Sequence, residues 1–243
     1  MGVTAIAVTD ALPRADQGVE RDPGAKAAGD IQSETNERAV GSRREEEPPG
    51  EAKHSSSGRG KPAGRRVRWR VSVAVGRPED GRLLRGVKLP AEDPTYFTWD
   101  PIRKRQPNRD WRRWGTDDLV RTTLRILREF RRDHPNAPRV GIGDLSLPKG
   151  GYFGPEVSGG IGHATHRNGL DIDVYYPRRD RRERAPTRVG QVDLRLSQDL
   201  VDRFVAARAV RVFVGPNTPL TGPADVVQAI PNHDNHLHAR VAG

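Results

Sequence analysis

The chain has 243 residues, no cysteine and a formal net charge of +10. The absence of cysteine excludes disulfide bonds, iron–sulfur clusters, thiolate zinc sites and cysteine nucleophiles. No stretch approaches the roughly 20 apolar residues that span a bilayer, so we expect no transmembrane segment. The first residues also lack the basic and apolar regions of a complete secretory signal.

Residues 1–64 have the composition of an unfolded arm. They contain no aromatic side chain and are rich in Gly, Pro, Ser, Glu and Arg. Such a segment cannot bury enough apolar surface to offset the entropy that is lost when a chain becomes ordered. We therefore predict a disordered, low-complexity N-terminal region over 1–64 and one folded domain over 65–243.

The basic excess belongs to the predicted domain, which carries 33 Lys and Arg against 21 Asp and Glu. Such a surface attracts anionic partners such as nucleic acid, membranes or anionic wall polymers, and a merely solvated basic surface is equally compatible with it. No nucleic-acid recognition motif is present, so we predict no specific nucleic-acid partner. We interpret the arginine-rich run at 178–184 as a solvated loop, with a wall-polymer contact as the alternative.

The first part of the domain has strand-like and loop-like segments. Apolar residues at odd positions between 67 and 75 predict a half-buried strand. Asp80 and Gly81 predict a turn, after which residues 82–90 return as an extended segment. Residues 94–108 contain three aromatic side chains, and we interpret them as an aromatic-anchored loop.

The strongest helix signal lies at 117–133. Thr116 is a suitable N-cap, the first two helical residues are acidic, and apolar residues recur at helical spacing. Pro135 ends this helix, because proline cannot continue the helical hydrogen bonding. A second helical pattern covers 196–207.

Short apolar runs predict four further strands, at 139–143, 170–176, 210–214 and 236–241. Segments rich in glycine and proline predict loops at 146–162 and 215–232. Strands and helices do not alternate strictly. The fold class is therefore α+β, with a mostly antiparallel central sheet flanked by helices.

Five of the seven histidines fall into two tight groups. One is HATHRNGLDID at 163–173, and the other is HDNHLHARV at 233–241. Imidazole is the commonest protein ligand for zinc, and a catalytic zinc ion takes three ligands of the His and carboxylate type and leaves a position for water. The two groups together predict a metal site that is divided between distant parts of the sequence.

Strand geometry places several of these side chains on common faces. Residues two apart in a strand project to the same side, so His236 and His238 point the same way, as do Asp171 and Asp173. The alternate residues, among them Leu237, face a core. Geometry alone does not choose the ligands among five His and two Asp, and a closed structural zinc site or a buried histidine network remains an alternative.

Three blocks of residues resemble the penicillin-insensitive murein endopeptidase family. They are GDLSLPKGG at 143–151, together with the two histidine groups at 163–173 and 233–241. The family belongs to a wider group of zinc domains that includes lysostaphin-type, D-Ala-D-Ala and hedgehog-like proteins. The resemblance extends over about 65–243, and the histidine and aspartate spacings are its specific part.

The resemblance implies a role for each site residue. His166, Asp173 and His238 correspond to the ligands of one Zn²⁺ ion per chain. His236 corresponds to a general base or a residue that stabilises the transition state. His163 and His233 match further histidines of the family and are implied as supporting catalytic residues.

The resemblance also implies an activity and a place of action. The implied reaction is hydrolysis of peptide cross-links in peptidoglycan, typically between D-alanine and meso-diaminopimelate, with stem peptides as the substrate. Such an enzyme works outside the cytoplasm, in the periplasm or the cell wall. The alternative is a zinc-stabilised domain that binds the wall without turnover.

Two residues near the metal site keep alternative roles. Asp171 either orients a ligand histidine or caps a loop. His163 either lines the substrate cleft, where it could also orient a water, or makes a structural hydrogen bond.

Overall fold

The computed structural model describes residues 66–160 and 162–243. The predicted disordered arm at 1–64 lies outside the described residues. The described helices are α1 (Asp117–Asp133), α2 (Pro155–Ser158) and α3 (Leu194–Ala206), and 3₁₀ turns lie at Asp110–Arg112 and Val189–Gln191. None of these helices is both long and apolar enough to cross a bilayer.

The described part of the chain also contains eleven strands. They are β1 (Val73–Arg77), β2 (Asp80–Leu84), β3 (Val87–Lys88), β4 (Glu92–Asp93), β5 (Tyr96–Thr98), β6 (Trp114–Gly115), β7 (Val140–Ile142), β8 (Asp171–Tyr175), β9 (Arg211–Val214), β10 (Val227–Ala229) and β11 (His236–Arg240). Two small sheets, β1–β2 and β3–β6, accompany a central sheet of seven strands.

The central sheet has the order β10-β9-β11-β8-β7-β5-β4. Four neighbouring pairs are antiparallel, and the pairs β5–β7 and β9–β10 are parallel. The predicted α+β class with a mostly antiparallel sheet is therefore confirmed only in part. The parallel pair β5–β7 arises because α1 connects the two strands as a crossover, which returns the chain in the same direction.

The two faces of the centre of the sheet differ in polarity. Ile172 and Val174 from β8 and Leu237 and Ala239 from β11 are fully buried. They belong to one apolar cluster with the buried sides of α1 and α3. The residues between them in sequence are His and Asp, so the opposite face of the same two strands is polar.

The predicted elements agree with the structure best where a capping signal is present. Helix α1 has the predicted bounds, and Oγ1 of Thr116 accepts a hydrogen bond from the amide of Leu119 at 3.1 Å. The predicted first strand begins at Val73 rather than at 67, because no partner strand lies beside residues 67–72 and Val71 is 76% exposed. The turn lies two residues earlier than predicted, at residues 78–79, and Asp80 and Gly81 belong to β2.

Three predicted loops contain short elements. Strand β5 lies within 94–108, helix α2 within 146–162 and strand β10 within 215–232. Each has three or four residues. Such runs are too short to show a hydrophobic period, so only their pairing and packing reveal them.

Truncation of the core beneath the polar face should destabilise the fold. We expect Leu237→Ala to lower the free energy of unfolding by about 2–5 kcal/mol, because it leaves a cavity under β11. Leu84→Ala is the matched control, since Leu84 is 45% exposed, and its effect should stay within about 0.5 kcal/mol. Urea unfolding followed by circular dichroism measures both. An equal decrease in the free energy of unfolding of the two variants would contradict the placement of Leu237 in the core.

Candidate metal centre

Strands β8 and β11 bring the two histidine groups together. They pair antiparallel, with His238 opposite Asp173, His236 opposite Tyr175 and Arg240 opposite Asp171. His236 Nε2 lies 3.8 Å and His238 Nδ1 lies 3.2 Å from the same oxygen, Oδ1 of Asp173. The shared face that strand geometry predicts is therefore present.

The third element of the site is the loop that carries His166. The His166 backbone is in the left-handed region, with φ of 67°, which is uncommon for a residue other than glycine. The amide of His166 donates a hydrogen bond to Oδ2 of Asp171 at 3.2 Å, which holds this conformation. The imidazole is fully buried. Strained backbone of this kind is concentrated at functional sites.

His166, Asp173 and His238 place three ligand atoms at the corners of a small triangle. His166 Nε2 lies 3.1 Å from His238 Nδ1 and 3.3 Å from Asp173 Oδ1, and His238 Nδ1 lies 3.2 Å from that oxygen. Tetrahedral coordination with bonds of about 2.1 Å separates ligand atoms by about 3.4 Å. The triangle therefore has the dimensions of one face of a tetrahedral metal site.

Hydrogen bonds at the far side of each imidazole set which nitrogen faces the triangle. His166 donates from Nδ1 to the carbonyl oxygen of Leu145, and His238 donates from Nε2 to Oδ1 of Asp171 at 2.8 Å. The opposite nitrogens, Nε2 of His166 and Nδ1 of His238, therefore face the triangle. Such outer hydrogen bonds are the usual support of histidines that bind metals.

The residues present fit a metal ion of the zinc type. Oδ1 of Asp173 is buried and has no hydrogen bond of proper geometry, although both imidazoles lie close to it. A buried carboxylate oxygen without a partner is unfavourable, and a bound cation would satisfy it. Two imidazole nitrogens and one carboxylate oxygen form a donor set that is typical of catalytic rather than structural zinc.

The charges around the triangle favour a cation. Burial lowers the pKa of His238, but contacts with Asp171 and Asp173 outweigh burial and raise it to about 9. Burial raises the pKa of Asp171, yet the hydrogen bond with His238 and the nearby positive charges lower it to about 2. The pKa of Asp173 is lowered well below its usual value, because the surrounding imidazoles outweigh its burial. The metal-free site thus holds a proton that a metal ion can replace.

His163 lies at the edge of the triangle. Its Nε2 forms a hydrogen bond of 2.7 Å with Oδ2 of Asp144 and lies 3.8 Å from Oδ2 of Asp173. Burial lowers the pKa of His163, but the hydrogen bond with Asp144 and the charge of Asp173 raise it overall. His163, His166 and Asp173 also place ligand atoms within 4.8 Å of one another, so they form a second candidate set.

His236 and His233 lie beside the triangle. Nδ1 of His236 contacts Oδ1 of Asn235 at 2.6 Å, and because an amide oxygen only accepts, Nδ1 carries the hydrogen and Nε2 keeps its lone pair. Burial lowers the pKa of His236 to about 4. The His233 ring stacks on the His236 ring with centroids 4.7 Å apart and donates to the carbonyl oxygen of Pro231.

Asp171 performs both of the roles that the sequence left open. Oδ1 accepts hydrogen bonds from His238 and from Nε of Arg240, at 2.8 and 2.7 Å. Oδ2 accepts the amide of His166 and so caps the loop that carries it. One carboxylate thus orients two of the three corners of the triangle.

Sequence reasoning missed three residues of the site. Asp144 is the second residue of the block at 143–151 and its only acidic residue, so a signal was present. Asn235 lies inside the second histidine group, although nothing in the spacing distinguishes it. Arg112, which is fully buried against Asp144, has no motif around it.

The arginine-rich run at 178–184 differs in part from the prediction of a solvated loop. Arg178 is buried and forms hydrogen bonds with Asp180 and Gln191. Glu183 pairs with Arg139. The prediction is therefore wrong for Arg178, because its guanidinium ties the loop to a neighbouring segment.

The contact between Asp171 and His238 gives a direct test of the metal centre. We expect Asp171→Asn to weaken zinc binding by about 10- to 100-fold, because the hydrogen bond that orients His238 loses its charged acceptor and one of the two acceptor oxygens becomes an NH₂ donor. Asp225→Asn, at an exposed aspartate, is the control and should leave the affinity unchanged. Competition with a chromophoric chelator measures both affinities. Unchanged affinity in Asp171→Asn would contradict this role.

Comparison with known proteins places the chain in a family. The family model described as penicillin-insensitive murein endopeptidase matches residues 74–212, more than half of the chain. A protein named penicillin-insensitive murein endopeptidase, from Yersinia enterocolitica (serotype O:8 / biotype 1B), is 28% identical over 102 residues. The alignment covers 42% of this chain and only 32% of that relative. The matched segment contains His166 and Asp173, and His238 lies beyond it. The chain belongs to the penicillin-insensitive murein endopeptidase family.

Proposed function

We propose that this chain is a zinc-dependent endopeptidase that hydrolyses peptide cross-links of peptidoglycan, of the D-alanyl to meso-diaminopimelate type. The observation that carries the proposal is the triangle of buried ligand atoms from His166, Asp173 and His238, with separations of 3.1 to 3.3 Å. Family membership supports the reaction class and the substrate.

The hydrogen bonds favour His238 over His163 as the third ligand. Nε2 of His163 is engaged by Asp144 at 2.7 Å. Nδ1 of His238 faces the triangle, because Asp171 holds the opposite nitrogen. The ligand set is therefore His166, Asp173 and His238, with one zinc ion per chain. When bound there, zinc supplies Lewis-acid chemistry, which polarises a carbonyl oxygen and acidifies a water molecule.

His236 is the residue placed to move a proton. Asn235 fixes its ring so that Nε2, which carries the lone pair, lies 3.8 Å from the ligand oxygen of Asp173. From this position Nε2 accepts a proton from the attacking water and returns it to the leaving amine. His233 supports the ring of His236 by stacking.

The proposed substrate also sets the place of action. Peptidoglycan lies outside the cytoplasmic membrane, so the enzyme acts in the periplasm or the cell wall on stem peptides. The basic excess of residues 65–243 suits contact with anionic wall polymers. The chemistry uses no serine or cysteine nucleophile, so no acyl-enzyme forms for a β-lactam to trap.

Cleavage of a defined substrate tests the proposal. The purified full chain is incubated with cross-linked muropeptides, and products are separated by liquid chromatography and identified by mass spectrometry. We expect cleavage of the cross-link, loss of cleavage with a chelator, recovery with added zinc, and no inhibition by penicillin. Undiminished cleavage in chelator would contradict the metal mechanism. Binding of muropeptides without cleavage in the presence of zinc would instead support a non-catalytic wall-binding domain.

Substitutions separate the ligands from the proton-transfer residue. We expect His238→Ala to lose zinc and activity together. His236→Ala should keep one zinc ion per chain but lose about 10²- to 10⁴-fold in kcat, the usual contribution of a general base. His134→Ala is the matched control, because His134 lies at the end of α1 and pairs with Asp199. If His236→Ala lost zinc and His238→Ala retained it, His236 would be the ligand and His238 the proton-transfer residue.

A further inference from the structure

A cavity lies on the solvent side of α1, away from the candidate metal centre. Its volume is about 350 Å³, and its lining combines one aromatic ring with three arginines: Trp69, Arg121, Thr122, Leu124, Arg125 and Arg128. The buried side of α1 packs on the apolar face of the central sheet, whereas the triangle of ligand atoms lies on the polar face. The cavity is therefore separate from the proposed zinc site, and it shares no residue with it.

The three arginines of the cavity form a row along α1. Arg121, Arg125 and Arg128 are separated by four and three residues, so they lie on one side of the helix. A rise of about 1.5 Å per residue makes this row about 10 Å long. All three side chains are exposed to solvent. A row of this length suits an elongated ligand with repeated negative charges better than it suits a single small ion.

The charges of the row are only weakly compensated by the protein. Nε of Arg121 lies 3.6 Å from Oδ2 of Asp117, and Nη1 of Arg125 lies 3.5 Å from Oε1 of Glu129. Exposed ion pairs of this kind contribute little to stability, so a bound anion can compete for the arginines. Arg128 forms no ion pair with any of the residues that the structure describes. Every charged side chain that lines the cavity is an arginine.

Trp69 gives the cavity a fixed wall. Its side chain is 40% exposed, and the guanidinium of Arg121 lies 4.0 Å from the centre of its ring. Stacking on the ring orders the guanidinium and leaves the N–H groups at its edge able to donate. The segment that carries Trp69 is tied to the start of α1, because Ser72 Oγ donates to Oδ1 of Asp117 and accepts from the Asp117 amide, each at 2.7 Å.

We propose that this row binds a phosphodiester-linked polymer of the cell wall, whose phosphates pair with the guanidinium groups and whose carbon linkers pack on Trp69. Guanidinium groups bind phosphate oxygens in a two-pronged arrangement, which gives both strength and orientation. Single-stranded nucleic acid is the competing polyanion, but it is bound by series of aromatic rings, and one aromatic ring lines this cavity.

The contact holds the enzyme on the wall while the polar face of the sheet remains open to stem peptides. The placement of the polymer in the cell wall rests on the proposed function, whereas the binding of phosphodiesters does not.

Binding of the full chain to a labelled glycerol phosphate oligomer tests the site, with fluorescence anisotropy recorded at several salt concentrations. We expect the double variant Arg125→Gln and Arg128→Gln to bind about tenfold more weakly at physiological salt, because two phosphate contacts are lost. The slope of log affinity against log salt should become shallower by about 1.4. Glutamine retains a good helix propensity, so the fold of α1 should be kept.

A matched double variant controls for the overall charge. Arg182→Gln and Arg184→Gln remove two exposed arginines from the run at 178–184, and we expect less than about a twofold change in affinity, because salt screens distant charges. Equal weakening in the two double variants, or weakening in the control alone, would overturn the proposal.

Competition between polyanions identifies the ligand. Unlabelled glycerol phosphate oligomer, single-stranded DNA and polyglutamate of equal charge are compared as competitors for the labelled oligomer. We expect the glycerol phosphate oligomer to compete best in the wild-type chain, and Trp69→Ala to weaken its binding. Stronger competition by DNA would assign the cavity to nucleic acid, and stronger competition by polyglutamate would assign it to carboxylates. Either result would overturn the proposal.

Cleavage of soluble muropeptides separates this proposal from the proposed function. The variant of Arg125 and Arg128 should cleave them at the wild-type rate, because α1 covers the face of the sheet opposite the triangle. If the wild-type chain cleaves no muropeptide but the two α1 arginines are needed for glycerol phosphate binding, only the proposed function fails. If the chain cleaves muropeptides but the α1 variant binds the oligomer as the wild type does, only the present proposal fails.

Discussion

The pairing of β8 with β11 is the constraint on which the site depends. Its register sets His238 opposite Asp173 and Arg240 opposite Asp171, so two residues from each strand meet on one face. Leu237 and Ile172 project from the other face into the core, where they are fully buried. The apolar core therefore holds these His and Asp side chains in place, because a shift by one residue would turn all of them into the core.

Three buried carboxylates surround the centre, and each has a different environment. Oδ1 of Asp173 has no hydrogen bond and is open to a cation. Asp171 is occupied by His238, Arg240 and the amide of His166. Asp144 is saturated by Arg112, Asn108 and His163. Because buried negative charge is unfavourable unless it is paired, these partners leave a single carboxylate for the proposed metal ion.

The roles proposed for the imidazoles also follow from their hydrogen-bond partners. A neutral imidazole has one donor and one acceptor nitrogen, so an acceptor on one side determines what the other side can do. Leu145 and Asp171 turn Nε2 of His166 and Nδ1 of His238 toward the triangle, and Asn235 leaves Nε2 of His236 open beside it. The proposed division into ligands and a proton-transfer residue follows from these hydrogen bonds.

The sequence by itself determined the elements whose signals are local: helix α1 with its Thr116 cap, the strands β8 and β11, and the histidine and aspartate groups that they carry. The family resemblance, which the comparisons confirm, also came from these blocks. The tertiary structure alone decided the parallel pairing of β5 with β7, the left-handed backbone of His166 and the contacts of Arg112 and Asn235. These features depend on groups that are distant in sequence or on a backbone angle, and neither leaves a periodic pattern for sequence reasoning to detect.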